Sequence, residues 1–383
     1  MAPDRPHPRP DHPSGLRRLR VHPPGRHPAV QPPQRSGVRR LHPGRRRGAD
    51  LVSTLRVATA GRSQVTDLGR YGYAHLGVQS NGAADQRSAR TANVLVGNAP
   101  DAPVIEITTL IAAEFVTDER MLVAATGAVG RLLLDGAEQP ACTPIVTWPG
   151  ARIRLEPGTA GIRAYLGVHG SIVAETQLGS VASDRLIGCV NELHDGDDLP
   201  VRDGRVRAPL HLPLFRSGLR PLRLGNDWTL DVLPGPDADD FPRFAESAAS
   251  EEFHVGAQSD HIGVRLDGAT FPRTSTHEVL SRGVPLGAIE VPPSGSLIAL
   301  LRGRPLTAGY PIPAVVARSS HHLLGQLRPG DSVRLRAVGV RDSLDGQLAF
   351  ERELRALAER CASMFEASAV FPSCSASHAA PAA

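Results

Sequence analysis

Asp195-Gly196-Asp197-Asp198-Leu199 and Pro329-Gly330-Asp331-Ser332-Val333 are two versions of one signal, a tight Gly-Asp turn that delivers the chain into a β-strand. Each is a place where a β-domain can close. Outward from these turns, from residue 55 to about 340, short apolar runs are broken every 8–12 residues or so by Gly, Pro or Asp-Gly, the spacing of an all-β sandwich or barrel. Strands are expected at 55–59, 104–107, 121–125, 162–168, 230–233, 296–301 and 332–337. Helices are few. Residues 85–96 form one, with Asp85 able to cap its start and Gly97 stopping it, and 241–248 form another after Asp239 and Asp240. Residues 344–365 read as an amphipathic helix with Leu348, Leu354 and Leu357 near one stripe. The Pro- and Arg-rich stretch 207–221 separates the two β-rich halves. The expected organisation is therefore mainly β, with one domain over 52–206, a second over 222–340, a helix over 341–366 and tails over 1–51 and 367–383.

Composition excludes a good deal. All 43 basic residues of the 383-residue chain are arginine. Without lysine there is no Schiff-base chemistry, no Walker A phosphate lysine and no attachment point for biotin on this chain. Cys142, Cys189, Cys361 and Cys374 are scattered, with no CxxC pair and no histidine at zinc spacing, so neither a disulfide framework nor a metal site is indicated. No apolar run has membrane-span length, and the reading is a cytoplasmic protein without a membrane partner. Residues 1–50 hold 12 arginines against 3 aspartates, while the rest holds 31 against 36 acids, so the basic pI of about 9.2 belongs to the N-terminal segment. That segment is expected to be disordered, and a nucleic-acid role for it is disfavoured. The first clean strand pattern begins at Val52-Ser53-Thr54-Leu55, and the biological chain is expected to start near Val52.

Polar chemistry gathers in a few places. Thr66-Asp67-Leu68-Gly69-Arg70-Tyr71-Gly72, followed by residues 77–85, combines glycines that admit close backbone approach with the opposite charges of Asp67, Arg70 and Asp85. The pattern suits anion or amide recognition, and it equally suits an Asp–Arg pair stapling a glycine-rich turn. Asn93 falls near the helical face of Asp85. In the second half, Ser259-Asp260-His261-Ile262-Gly263-Val264-Arg265 repeats the Asp, Gly and Arg combination, and Thr307-Ala308-Gly309-Tyr310 offers a hydroxyl and a phenol on a turn. In the absence of lysine, phosphate needs Arg, backbone amides or a helix N-terminus, which makes Arg265, Arg302 and Arg304 candidates. His169 follows an apolar strand and has the titration range of a general base. His321-His322, with no acidic partner at ligand spacing, is placed on a helix surface. No Gly-x-Ser-x-Gly elbow supports a hydrolase triad.

From about Leu55 to Val340 these motifs resemble the family of biotin-dependent carboxyltransferase-like proteins, which includes the 5-oxoprolinase C subunit, the second subunit of allophanate hydrolase and the carboxyltransferase domain of urea amidolyase. The carriers are Asp67-Leu68-Gly69-Arg70, Asn81-Gly82-Ala83-Ala84-Asp85, residues 92–98, Ile105-Glu106-Ile107-Thr108 and Leu178-Gly179-Ser180 in the first half. In the second they are Leu233-Pro234-Gly235-Pro236, residues 259–266, Gly287-Ala288-Ile289-Glu290-Val291-Pro292 and Gly309-Tyr310-Pro311. The resemblance implies two tandem cyclophilin-like β-barrel domains with a ligand cleft between them. It implies a subunit of an ATP-dependent lactam hydrolase that works with other 5-oxoprolinase-type subunits on a small amide, with Mg²⁺ accompanying ATP. Two alternatives are a carboxyltransferase taking carboxybiotin from a separate carrier and a non-catalytic regulatory binding protein. Activating an amide with phosphate needs cations and a carboxylate that orients water, and Asp67, Arg70, Asp85, Asp260 and Arg265 are the catalytic candidates. Asn81, Gly82, Asn93, His169, Thr307, Gly309 and Tyr310 are the substrate-binding candidates.

The chain departs from the family pattern inside these motifs. Thr66 stands where Gln is usual, Asn81 and Ala84 stand for Ser and Met, and Ser171 stands for Gly. Val181, Ala182 and Ser183 occupy the place of Arg-Ser-Thr, His261 that of Arg, and Ala308 that of Gly.

Overall fold

The computed structural model describes residues 52–207, 224–368 and 370. The tail expected over 1–51, most of the boundary segment and the end of the chain lie outside the described residues. Alternation sets the first strand, Val52–Thr59, where Ser53, Leu55 and Val57 are buried and Arg56 is exposed. This strand belongs to a seven-stranded sheet in the order Ser171–Ile172, Asp198–Arg202, Val52–Thr59, Ala113–Thr117, Arg152–Pro157, Val129–Leu134, Ala137–Gln139. A five-stranded sheet in the order Ser63–Thr66, Val104–Thr108, Arg163–Val168, Leu122–Gly127, Ile145–Val146 faces it. Leu55, Val57 and Phe115 from the first sheet meet Ile105, Ile107 and Leu166 from the second in one core. The five-stranded sheet is buried on both faces, as its unbroken apolar runs require, because a helix covers its outer side. That helix, α1 (Gln86–Leu95), lays Ala89 and Ala92 against Val104 and Tyr165.

The second half is a closed barrel in the order Asp227–Pro234, Ala314–Val316, Ala288–Glu290, Leu297–Leu300, Gly263–Asp267, Phe253–Val255, Ser332–Ala337. Trp228, Leu230, Leu266, Ile289 and Leu335 belong to its core. Of the two β-domains only this one closes its hydrogen-bond ladder all the way round; the first closes by packing one sheet on the other. Both Gly-Asp turns deliver the strand that lies beside their domain's first strand. Asp198–Arg202 pairs antiparallel with Val52–Thr59, and Ser332–Ala337 pairs in parallel with Asp227–Pro234.

Three further helices follow in order, α2 (Pro242–Ser247), α3 (His321–Leu324) and α4 (Val340–Ala367). The stripe of α4 differs from expectation: Leu354, Leu357, Cys361 and Phe365 pack on Val94, Leu95 and Leu122 of the first domain, while Leu344 and Leu348 are exposed. The last helix thus leaves the barrel and returns to the first domain.

A buried polar junction joins the two halves. The Gln326 amide donates to Asp85 Oδ2 at 2.8 Å and to the Arg163 carbonyl at 2.9 Å, and its oxygen accepts from the Arg163 and Ile162 amides at 3.0 and 3.2 Å. Gly325 is needed beside it, because a Cβ there would lie 2.5 Å from the Ala84 carbonyl oxygen. This junction fixes the start of α1 against the end of α3, and the cleft described next opens beside it.

Candidate functional site

Asp67 and Arg70, expected as a catalytic pair, do not bond to each other. Asp67 accepts from the amides of Gly69 (2.7 Å) and Val181 (2.9 Å) and from Ser180 Oγ (2.6 Å). Arg70, 2% exposed, donates to the carbonyls of Gln177, Ser180 and Ala182, and its guanidinium lies 3.7 Å from Asp184. Asn81 donates to the same Asp184 carboxylate at 3.0 Å. Gly69 and Gly82 bring the remaining strands of this knot together, since a Cβ on Gly69 would fall 2.4 Å from the Ser80 oxygen and one on Gly82 would fall 2.5 Å from Leu68. Asp67, Arg70 and Asn81 therefore staple the loops 67–70, 80–82 and 177–184. The grip is on backbone atoms of Val181 and Ala182, where the chain departs from the family pattern.

Asp85, fully buried, caps α1 by accepting from the Ser88 amide and hydroxyl at 3.0 and 2.6 Å, and it holds Gln326. Burial raises its pKa, against the lowering effect of the Gln326 and Ser88 hydrogen bonds. Its carboxylate faces the domain junction, so its geometry is that of a capping and docking group. Asn93 is buried and donates to the Ala102 carbonyl at 2.7 Å. His169 Nδ1 bonds the Val96 carbonyl at 2.8 Å at the far end of α1, about 15 Å of helix from Asp85, and burial lowers its pKa. Asp260 closes a turn by accepting from Ile262 (2.8 Å) and Gly263 (3.2 Å). Arg265 is half-buried on the next strand, Thr307 and Tyr310 are exposed, and Gly309 lies on the turn between them. None of the twelve candidates lines the arginine-rich cleft between α1, the barrel and α4.

That cleft, of about 260 Å³, lies where α1, the barrel and α4 converge. Five guanidiniums line it: Arg87 and Arg90 from α1, Arg302 and Arg304 from the turn after Leu297–Leu300, and Arg318 from the segment before α3. None of the described residues lining it is acidic. Arg90 is matched, bonding Glu351 of α4 through two oxygens at 2.6 and 2.7 Å, with Gln347 supporting Glu351 at 2.8 Å. Arg87 and Arg90 stand over the Phe350 ring at 4.8 and 5.3 Å. Arg304 donates Nε to the Val284 carbonyl at 3.0 Å. Arg302 is 9% exposed; one of its terminal nitrogens donates to Tyr71 Oη at 3.1 Å, and its buried Nε has no partner. Tyr71 Oη also accepts from Gln86 at 3.3 Å.

The electrostatics follow from this crowding. Burial lowers the pKa of Arg87, and burial with Arg302 alongside lowers that of Arg304. Burial, with Arg302 adding to it, pushes His321 down to about 4; burial and Arg87 push His322 down to about 3. Both rings are neutral at pH 7, and buried His322 Nδ1 is unpartnered. Burial acts to raise the Tyr71 pKa, but Arg302, the Gln86 hydrogen bond and Arg318 outweigh it and the phenol is shifted down. Sequence reasoning found Arg302 and Arg304 here but placed His321 and His322 on a surface; in fact both are half-buried and line the cleft. The paired arginines of α1, three residues apart, were the missed signal.

A mainly β protein with two β-rich halves and an arginine-lined cleft beside their junction is the class defined by this arrangement. Residues 76–337 match the model of the carboxyltransferase domain, subdomain A and B, and the chain belongs to that family. It is 30% identical over 313 residues to the 5-oxoprolinase C subunit of Escherichia coli, a match that covers 80% of this chain and 98% of that protein. It is 31% identical over 291 residues to the urea amidolyase of Saccharomyces cerevisiae, covering 70% of this chain and 15% of that much longer protein. Among solved structures, the urea carboxylase of Kluyveromyces lactis superposes with a TM-score of 0.71 at 25% identity, over 79% of this chain and 29% of that one. Among the described residues no helix is long and apolar enough to cross a membrane.

Proposed function

We propose that this chain is a cytoplasmic subunit of an ATP-dependent amide hydrolase of the 5-oxoprolinase type, acting with partner subunits to open 5-oxoproline to glutamate. The supporting observation is the arginine-lined interdomain cleft in a chain that spans 98% of a 5-oxoprolinase C subunit. Lactam opening is uphill unless the amide oxygen is made a leaving group. Transfer of a phosphoryl group from ATP to that oxygen releases ADP; water then adds at the same carbon, the C–N bond breaks with the nitrogen taking up protons to leave an acyl phosphate, and a second water splits that into glutamate and phosphate. The chain's part is to hold the anionic reactant against Arg302, Arg304 and Arg87 and to shield it from bulk water. Asp67, Arg70, Asn81 and Asp85 act as positioning residues that set the walls. Arginines suit ATP's phosphates, but no cluster of metal-ligating side chains occurs among the described residues, so Mg²⁺ would be held by ATP and the partner subunits.

A carboxyltransferase acting on urea or a related amide is the second reading, favoured by the likeness to urea amidolyase and urea carboxylase. Its carboxybiotin would come from a separate carrier, since this chain has no lysine. The test is glutamate release from 5-oxoproline by residues 52–383 purified with the products of adjacent genes, each component and ATP omitted in turn. Glutamate that requires both this chain and ATP is the expected result. A well-folded complex that gives none, but consumes carboxybiotin, supports the second reading; tight assembly with neither activity supports a regulatory protein.

A further inference from the structure

Within one wall of the cleft the protein shows what a carboxylate needs. Glu351 is satisfied by a single guanidinium fork, that of Arg90. Four more guanidiniums, those of Arg87, Arg302, Arg304 and Arg318, line the same space without an ion pair to any described carboxylate. Their number exceeds what a second carboxylate can use and matches a dianion with three equatorial oxygens. Two buried polar atoms point to the same occupant, because Arg302 Nε and His322 Nδ1 have no partner in the folded chain. Tyr71 adds a third donor: its oxygen already accepts from Arg302 and Gln86, which leaves its own O–H free to donate. These donors come from four elements, α1, α3, the barrel and the loop before α1.

We infer that the cleft is a phosphoryl-binding site in which Arg302, with Arg304 beside it and Arg87 lining the same space, grips the oxyanion while Tyr71 and His322 complete its hydrogen bonding. At about 260 Å³ the space admits a phosphoryl group on a small organic residue and is below the usual size of a site for a whole cofactor. The inference deepens the hydrolase reading, in which such a group arises on the amide oxygen and leaves as phosphate. The same chemistry can also come from the phosphates of ATP.

Calorimetry and thermal melts on the full chain, without partners, separate these sources. Inorganic phosphate is expected to bind and to raise the melting temperature with dose. R302Q should weaken that binding by about tenfold or more, R302K should recover part of it, and R131Q, on an exposed sheet edge paired with Glu138 and Glu156, should leave it within about twofold. If R302Q does not fold, R304Q serves in its place. A non-hydrolysable ATP analogue that displaces phosphate with the same Arg302 dependence identifies the nucleotide as the source; phosphate binding without analogue binding identifies a small phosphorylated molecule. Phosphate that does not bind, that binds no better than 5-oxoproline, or that binds equally to folded R302Q overturns the inference. Arg302-dependent phosphate binding without lactam turnover leaves this inference standing and removes the hydrolase reading, whereas turnover without it does the reverse.

Discussion

Arg70 and Arg302 are both buried arginines, 2% and 9% exposed, yet their surroundings differ in kind. Arg70 donates to three carbonyls, and its Nη1, which makes no hydrogen bond, lies 3.7 Å from the Asp184 carboxylate that answers its charge, all within loops it ties together. Arg302 meets a phenol, with Arg304 and the neutral His321 ring close enough to feel its charge and no carboxylate paired to it, and its Nε is unsatisfied. Burial alone therefore does not mark a functional cation. A buried arginine whose charge is answered inside the fold is a staple, and one whose charge is left unanswered is a receptor.

The strongest way to break this contrast is to remove each side chain in turn. Arg70→Gln leaves Asp184 buried without its cation, and we expect a loss of about 3–5 kcal/mol, seen as a fall of roughly 10 °C in Tm. Arg302→Gln removes a charge that its neighbours repel, so stability without ligand should change by less than about 1 kcal/mol, while kcat/KM of the assembled complex falls by about 10²-fold. Equal losses of stability in the two variants would erase the distinction.

Next in size is the junction that sets the cleft walls. Gln326→Ala strands Asp85 Oδ2 and the backbone of Arg163, at a cost of about 2–3 kcal/mol. Because Gln326 bridges the domains, urea unfolding should also lose cooperativity, with the barrel and the first domain melting apart. A single transition with an unchanged midpoint would show that the domains are held by other contacts.

A smaller effect comes from the two histidines of the cleft. Their folded pKa values of about 4 and 3 lie below the unfolded value of about 6.5, so the unfolded chain binds more protons as pH falls. Stability conferred by these neutral rings is present above pH 6.5 and is lost as pH drops toward 4, levelling off below about 3. His322→Gln should flatten the acid limb of urea midpoint against pH between about 6.5 and 4. An unaltered limb would mean that the ring is not buried against the arginines.

Most of the fold was legible in the sequence because its signals are local. The cap at Asp85, the stop at Gly97 and the two Gly-Asp turns each need only a few adjacent residues, and each forms as expected. The cleft was not legible, because Tyr71, Arg87, Arg302, His322 and Phe350 are far apart in the chain and meet only when α3 docks on α1 and α4 folds back. His321-His322 reads as a surface pair because no local pattern announces the helix that buries it. Conversely, the dense motif 66–72 looked like chemistry because a loop staple and an anion site draw on the same residues, glycine, aspartate and arginine. Only the direction of each hydrogen bond separates them.

The smallest effect bears on the departures from the family pattern. His261, standing where arginine is usual, is exposed, and its carbonyl accepts from the Gly303 amide at 3.1 Å, beside Arg302 and Arg304. Its ring also lies against Gly303, where a Cβ would come 2.5 Å from the imidazole. His261→Arg would add one screened positive charge next to the receptor arginines without entering the cleft, since position 261 does not line it. Phosphate affinity should rise by about two- to threefold at low salt and return to the parent value near about 0.5 M salt, with Tm unchanged. A gain that persists at high salt would place residue 261 in direct contact with the ligand, and would move the anion site from the cleft toward the turn at Asp260.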